Sequence, residues 1–443
     1  MSKSKQAKHN ENLRVCKDEF AAAQESGDQK QICTASASLG LALFQVFKTV
    51  EGLKYFGEAL RIAKELDDLK LQIHSLGMKA LAFQAVGRYP DAFRVAEEVL
   101  KLGEERSDEG LRFDAYASMG QILMESGEAV LALEKLNDAK AIADTLDDPR
   151  RAMNIRSAMG NYSLNVGSPE RAFEYFEDAL TIAVSLGDED TEIGLLGNLA
   201  TILSWNKQHA KAIQAFEKVL AHVREKDNKE IEAQTLRHLV DSHYQLEAHA
   251  TVLEYGQAGL TLQDWTDANT TFFFYEKMIA ALYKTGKNEE AEAYTLQAIE
   301  YAGNERDEGK ELDFLLSLGE SFALSGKPEE ALSLYMKAGQ IAKKVDRKKD
   351  VAYLTGRIGF TFAELGQLPD AITYHKKAVE LAQEQGLGDL EGEQLSFLAM
   401  ACLEQNDSEK AEEYCQSAIR VYIGANLQQE AQKAQQLLSN INS

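Results

Sequence analysis

Three of the chain's eight histidines lie within RHLVDSHYQLEAHA, residues 237–250, beside an aspartate. Clusters of this kind are where metal or acid–base chemistry is sought first. On a helix, His238 and Asp241 would share one face, being three residues apart. His243 lies five residues beyond His238 and points elsewhere, whereas metal ligands must converge on one point. The spacing therefore predicts a structural role, with His243 a core histidine whose hydrogen bonds are satisfied. Nothing in the chain matches a P-loop, GxSxG or HExxH. Carboxylates are so abundant that close pairs arise by chance. No catalytic residue, cofactor or metal is assigned, and the chain reads as non-enzymatic.

The elements that must position any site come from a repeat. Gly87, Gly127 and Gly167 are forty residues apart, as are Gly286, Gly326 and Gly366. An alanine follows each by five residues, from Ala92 to Ala371, and Ala212 and Ala411 extend that series. A third series of small residues precedes the turn by seven, including Gly40, Gly120, Gly160, Gly319 and Gly359. Each unit therefore reads as two amphipathic helices around a glycine turn. RAFEYFEDALTIAVSLGD (171–188) places Ala172, Phe176, Ala179 and Leu180 on one stripe. Units end in polar clusters such as KELDD and SLGDED.

Composition narrows the partners. With 71 acidic and 48 basic residues the formal charge is −23, a field that repels nucleic-acid phosphates and anionic lipid. The basic opening MSKSKQAKHN is expected to be a solubilising, disordered start. No apolar run follows those lysines as a signal peptide would require, none is long enough to cross a membrane, and Ser2 excludes N-myristoylation. Cys16, Cys33, Cys402 and Cys415 form no CxxC and read as reduced thiols of a cytoplasmic protein, with Cys402 and Cys415 packing neighbours.

The pattern of a small residue in the first helix, glycine at the turn and A-x3-F/Y-x2-A-L in the second resembles the tetratricopeptide repeat (TPR). It stands clearest in MGNYSLNVGSPERAFEYFEDAL (159–180) and LGESFALSGKPEEALSLYMKA (318–338). The forty-residue period is similar to the extended repeats of Pins/LGN-type adaptors and kinesin light chains. The resemblance implies an all-α, right-handed solenoid of about ten helical hairpins over 28–425. Residues 1–27 would be the disordered start plus an N-terminal capping helix, and 426–443 a C-terminal capping helix. No Pins-like G-protein-binding tail and no heptad coiled coil flanks the array, so those families' specific partners are not carried over.

In such arrays the first helices line a concave groove. With Gly40, Gly160 and Gly319 as position 8, the resemblance turns positions 2, 5, 9, 12 and 13 toward it. Seven of ten residues at position 5 are tiny, among them Gly77, Gly197 and Gly356. They either leave room for a ligand or permit tight packing. The groove candidates are Asn154, Asn161 and Asn165, then Arg237, Asp241, Tyr244, Phe273, Tyr283, Lys284 and Glu320. Asparagine both donates and accepts, so it can pin the backbone of an extended peptide. Leu41, Phe44, Leu81 and Met124 make the N-terminal end apolar, and acidic residues gather toward the other. A partner both apolar and basic fits this gradient.

The ruler breaks once. Ala212 and Ala291 are one residue short of two repeats, so unit 228–267 carries a deletion, expected in a loop. Gly256 and Gly259 are expected to interrupt its second helix. Directly after stands NTTFFFYEKM (269–278). The register assigns Phe274 and Tyr275 to the core, Phe272 to the imperfect junction near Trp265, and Phe273 to the groove. The expected function is a protein-interaction adaptor or scaffold that holds a peptide or helical segment of a partner in the groove. A peptide-responsive regulatory sensor and a structural subunit of a larger complex are the alternatives.

Overall fold

The structure, a computed structural model, describes residues 3–441, and among them the secondary structure is α-helix with one 3-10 turn and no strand. α1 (Lys3–Ser26) precedes ten helical hairpins. These begin with α2/α3 (Gln29–Gln45, Thr49–Glu65), α4/α5 (Leu69–Ala85, Tyr89–Arg106) and α6/α7 (Glu109–Glu125, Ala129–Ala143). α8/α9 (Pro149–Asn165, Pro169–Leu186), α10/α11 (Glu189–Trp205, His209–Glu225) and α12/α13 (Lys229–Gln245, His249–Leu260) follow. Then come α14/α15 (Ala268–Lys284, Asn288–Glu305), α16/α17 (Glu308–Leu324, Pro328–Lys344), α18/α19 (Lys348–Glu364, Leu368–Gln385) and α20/α21 (Gly388–Glu404, Ser408–Gly424). α22 (Gln428–Ile441) closes the chain. The fold is an all-α repeat solenoid. It divides into two compact units, 1–274 and 275–443, and the division falls within α14. The basic opening, expected to be disordered, is helical from Lys3; residues 1 and 2 lie outside the described residues.

The forty-residue ruler is a ruler of backbone conformation. The residue ending each hairpin turn has positive φ: Gly87, Gly127, Gly167, Gly286, Gly326 and Gly366, but also Phe47, Lys207, Glu247 and Asn406. The left-handed conformation stops the first helix and reverses the chain. A second regularity escaped the sequence reading. Asp28, Asp68, Asp108, Asp148, Asp188 and Asn228, each forty residues after the last, cap the first helices by accepting backbone N–H bonds. Asp267 then accepts from the Thr270 N–H at 2.8 Å, and Asp307 from that of Lys310 at 2.9 Å. The polar clusters at unit ends are therefore helix N-caps that satisfy otherwise orphaned donors.

Where the two helices of a hairpin cross, glycine is required by packing. A Cβ on Gly160 would stand 2.5 Å from the Phe176 ring, and one on Gly319 2.7 Å from Tyr335. Gly40 meets Phe56 and Gly359 meets His375 in the same register, sixteen residues apart. Ala172, Phe176, Ala179 and Ala183 are wholly buried, so the small stripe of the second helix seats against the first. Burying a phenylalanine of this kind stabilises by about 1.5–3 kcal/mol. Phe44, expected to line the groove, belongs instead to the core. It is fully buried, edge-on to Phe56 at 5.9 Å and to Phe83 at 5.6 Å.

The irregular repeat is now located. The turn residue Glu247 and the N-cap Asp267 bracket the missing residue. Between them α13 has only 12 residues, and a 3-10 turn at Gln263–Trp265 completes the connection. Gly256 and Gly259 do not interrupt α13, contrary to expectation. Gly259 is there for space, since a Cβ would stand 2.4 Å from the ring of Phe274. Phe272, Phe274 and Tyr275 are buried, and Phe273 is half-buried.

Candidate partner-binding face

Within each unit first helices approach one another, as α6 does α8 and α18 does α20, and the sequence-predicted residues project from first helices. On α8, Asn154, Asn161 and Asn165 are all exposed. Two turns separate Asn154 from Asn161, and Asn165 follows one turn on, so the three amides stand in a row along the helix. On α12, Arg237 is exposed, while Asp241 and Tyr244 are half-buried. The Arg237 guanidinium lies over the ring of Phe273, 4.8 Å from its centroid. The two candidates thus form one cation–π ledge, an arrangement of about 0.5–1 kcal/mol at exposed sites. Tyr244 meets His249 edge-on at 6.3 Å.

The same unit contains a feature the sequence reading missed. A cavity of about 540 Å³ opens between α10, α11 and α12, lined by Gly194, Gly197, Asn198, Phe216, Gln234 and His238 among others. Its signal was present in the sequence as two glycines three residues apart inside a helix, but no pattern states whether such glycines fill a contact or leave a gap.

In the second unit, Tyr283 is half-buried with its hydroxyl lacking a hydrogen-bond partner, and Lys284 is exposed. Glu320 is already engaged within the fold. It accepts the Tyr353 hydroxyl at 2.9 Å and lies 3.1 Å from Nε of Arg357. Burial and the Glu320 carboxylate together push the Tyr353 phenol up to about 12. Arg357 in turn lies near the rings of Tyr335 and Phe360, at 5.7 and 5.4 Å. Asp313 is similarly occupied, with Arg347 at 2.6 Å. Part of the acidity read from sequence is therefore neutralised internally.

The histidine cluster does not converge. His238 stacks on Phe216 at 4.9 Å with the rings 5° from parallel, and His243 tilts against Tyr255 at 5.5 Å. Burial, and for His238 also Arg237, hold both imidazoles below their ordinary value. The expectation that His243 has its hydrogen bonds satisfied fails, because its buried Nε2 has no partner; the Nδ1 of His249 also lacks one. No group of three or more His, Cys, Asp or Glu able to hold a metal occurs among the described residues. All four cysteines are free and buried. No described helix is long and apolar enough to cross a membrane.

Residues 350–423 match the tetratricopeptide-repeat family model, and the remaining hairpins repeat the helical unit of that segment. Residues 350–423 therefore carry the tetratricopeptide-repeat pattern. The apo form of the quorum sensor NprR from B. thuringiensis is similar in fold at 16% identity and a TM-score of 0.45, over 80% of this chain and 99% of that one. A Signal Transduction ATPase with Numerous Domains from Pyrococcus horikoshii, which has a tetratricopeptide repeat sensor, shares 16% identity and a TM-score of 0.45. The match covers 74% of this chain and 49% of that one, so the chain spans about half that protein's length. Kinesin-light-chain TPR-like repeats from Podosopora anserina share 17% identity over 44% of this chain and 97% of theirs, with a TM-score of 0.38. No curated protein matches the sequence.

Proposed function

We propose that the chain is a non-catalytic, cytoplasmic interaction scaffold that holds a peptide or helical segment of a partner protein on its first-helix face. The observation that carries this reading is the row of exposed amides at Asn154, Asn161 and Asn165. Side-chain amides offer paired donors and acceptors to a main chain irrespective of its sequence. The Arg237–Phe273 ledge adds an apolar surface with a cationic lid in the same unit. The net charge of −23 favours partners with basic character and disfavours nucleic acid.

The test compares proteins cross-linked to the wild-type chain in lysate with those cross-linked to Asn161→Ala/Asn165→Ala and to Phe273→Ala/Tyr283→Ala. Partners of the first-helix face should be lost from at least one double variant, with circular dichroism unchanged. Retention of every partner by both variants would refute the assignment.

A further inference from the structure

We infer that the cavity between α10, α11 and α12 is a pocket for one uncharged, apolar side chain of an extended peptide, with flanking main-chain amides meeting Asn198 and Gln234. This rests on the peptide-holding reading and names the subsite that would select the peptide's sequence.

The glycines carry the argument. Gly160 and Gly319 are demanded by rings that a Cβ would strike. At the register position of Gly197, Gly356 faces Gln394 at 2.8 Å, whereas Gly77, like Gly197, faces open space. Around a Cβ on Gly194 there is nothing within 4 Å, and around one on Gly197 only Val219 Cγ2 at 4.0 Å. Neither has positive φ, and both lie inside α10, where glycine is disfavoured relative to alanine. Packing and backbone geometry therefore require neither. What they provide is access to the α10 backbone beside a cavity of about 540 Å³, a volume in the range of small-ligand sites.

The remaining walls define the occupant. Phe216, Val219 and Val223 of α11 are nearly fully buried and make an apolar lining. His238 stacks on Phe216, and its burial favours the uncharged ring. At the mouth Asp190 pairs with Lys226 at 3.7 Å and lies 3.0 Å from the His222 ring. The pocket thus has no surplus charge with which to hold an ion. The Thr201 and Thr235 hydroxyls are spent on their own helices, donating to the carbonyls of Gly197 at 2.9 Å and Ile231 at 2.8 Å. Asn198 and Gln234 make no side-chain hydrogen bond to the described residues, so two amides, one on each first helix, are left for a ligand.

Ligand-observed saturation-transfer NMR on the full chain, with the blocked pentapeptides AAFAA, AAKAA, AAEAA and AAAAA, tests this. AAFAA should give ring signals that weaken about tenfold in Gly197→Leu, which intrudes on the cavity, and in Asn198→Ala/Gln234→Ala. The lysine, glutamate and alanine peptides should give little. Gly194→Ala and Gly197→Ala should melt at or above the wild-type temperature. An AAFAA signal indifferent to Gly197→Leu, equal signals from the charged peptides, or lowered melting of the alanine variants would each overturn the inference. These outcomes are independent of the lysate experiment. Loss of partners from Asn161→Ala/Asn165→Ala without AAFAA binding would leave the scaffold reading standing and remove this pocket.

Discussion

Single residues set the hairpin geometry, and several of them are strained. Phe47 turns the first hairpin at a φ of 62° although it is aromatic and 73% exposed. Glycine pays no Cβ penalty there, so Phe47→Gly should stabilise the fold by about 0.5–1 kcal/mol in urea titration. The converse holds at Gly160, where alanine would press on Phe176 at 2.5 Å. Gly160→Ala should cost about 1–3 kcal/mol, read from the same titration. Three imidazoles, His375 buried and the others half-buried, give a pH signature. His238, His243 and His375 are all held below the ordinary histidine value chiefly by burial. The unfolded chain then binds their protons more readily than the folded one, so stability is full above about pH 6.5 and falls as pH drops below it. Urea midpoints at pH 7.5 and 5.5 should differ in that direction, and His238→Gln/His243→Gln should shrink the difference.

At the scale of the element, the hairpin built from α12 and α13 is the weak one. Its second helix has 12 residues against 18 in α9, and two of its ring nitrogens are buried without partners. Unpaired buried polar atoms and a short helix both lower local stability. In native-state hydrogen exchange the amides of 250–260 should therefore exchange faster than those of 170–185. Equal protection of the two segments would show that the shortened repeat is as firmly held as a regular one. Phe274 is fully buried against Gly259, and Phe274→Ala should cost about 3–5 kcal/mol.

For the whole molecule, a charge of −23 means that folding gathers like charges together. Many local pairs, such as Arg61 with Glu58 and Glu65, soften this without removing it. Raising sodium chloride from about 10 to about 150 mM shortens the screening length to roughly 8 Å, so the melting temperature should rise over that range. A flat or falling profile would mean that the ion pairs lost to screening outweigh the self-repulsion.

The repeat, the ten hairpins and the burial of Phe274 and Tyr275 followed from sequence, because helical period and turn chemistry are local and recur from unit to unit. Aspartate or asparagine caps recur on eight of the ten first helices, absent from α18 and α20, and their spacing is equally legible. Spacing could not tell a glycine that accommodates a neighbour from one that faces space. Gly197 and Gly356 share one register position, and only the neighbouring helices separate them: Gln394 of α20 crowds Gly356, while Gly197 faces space. Nor could it show that Glu320 spends its charge on Arg357 and Tyr353, that Phe44 turns into the core, or that Arg237 covers Phe273. Sequence alone determined which elements form and where they reverse, since those depend on near neighbours. Tertiary structure decided which side chains remain available to a partner, because availability depends on what residues thirty or forty positions away have already taken.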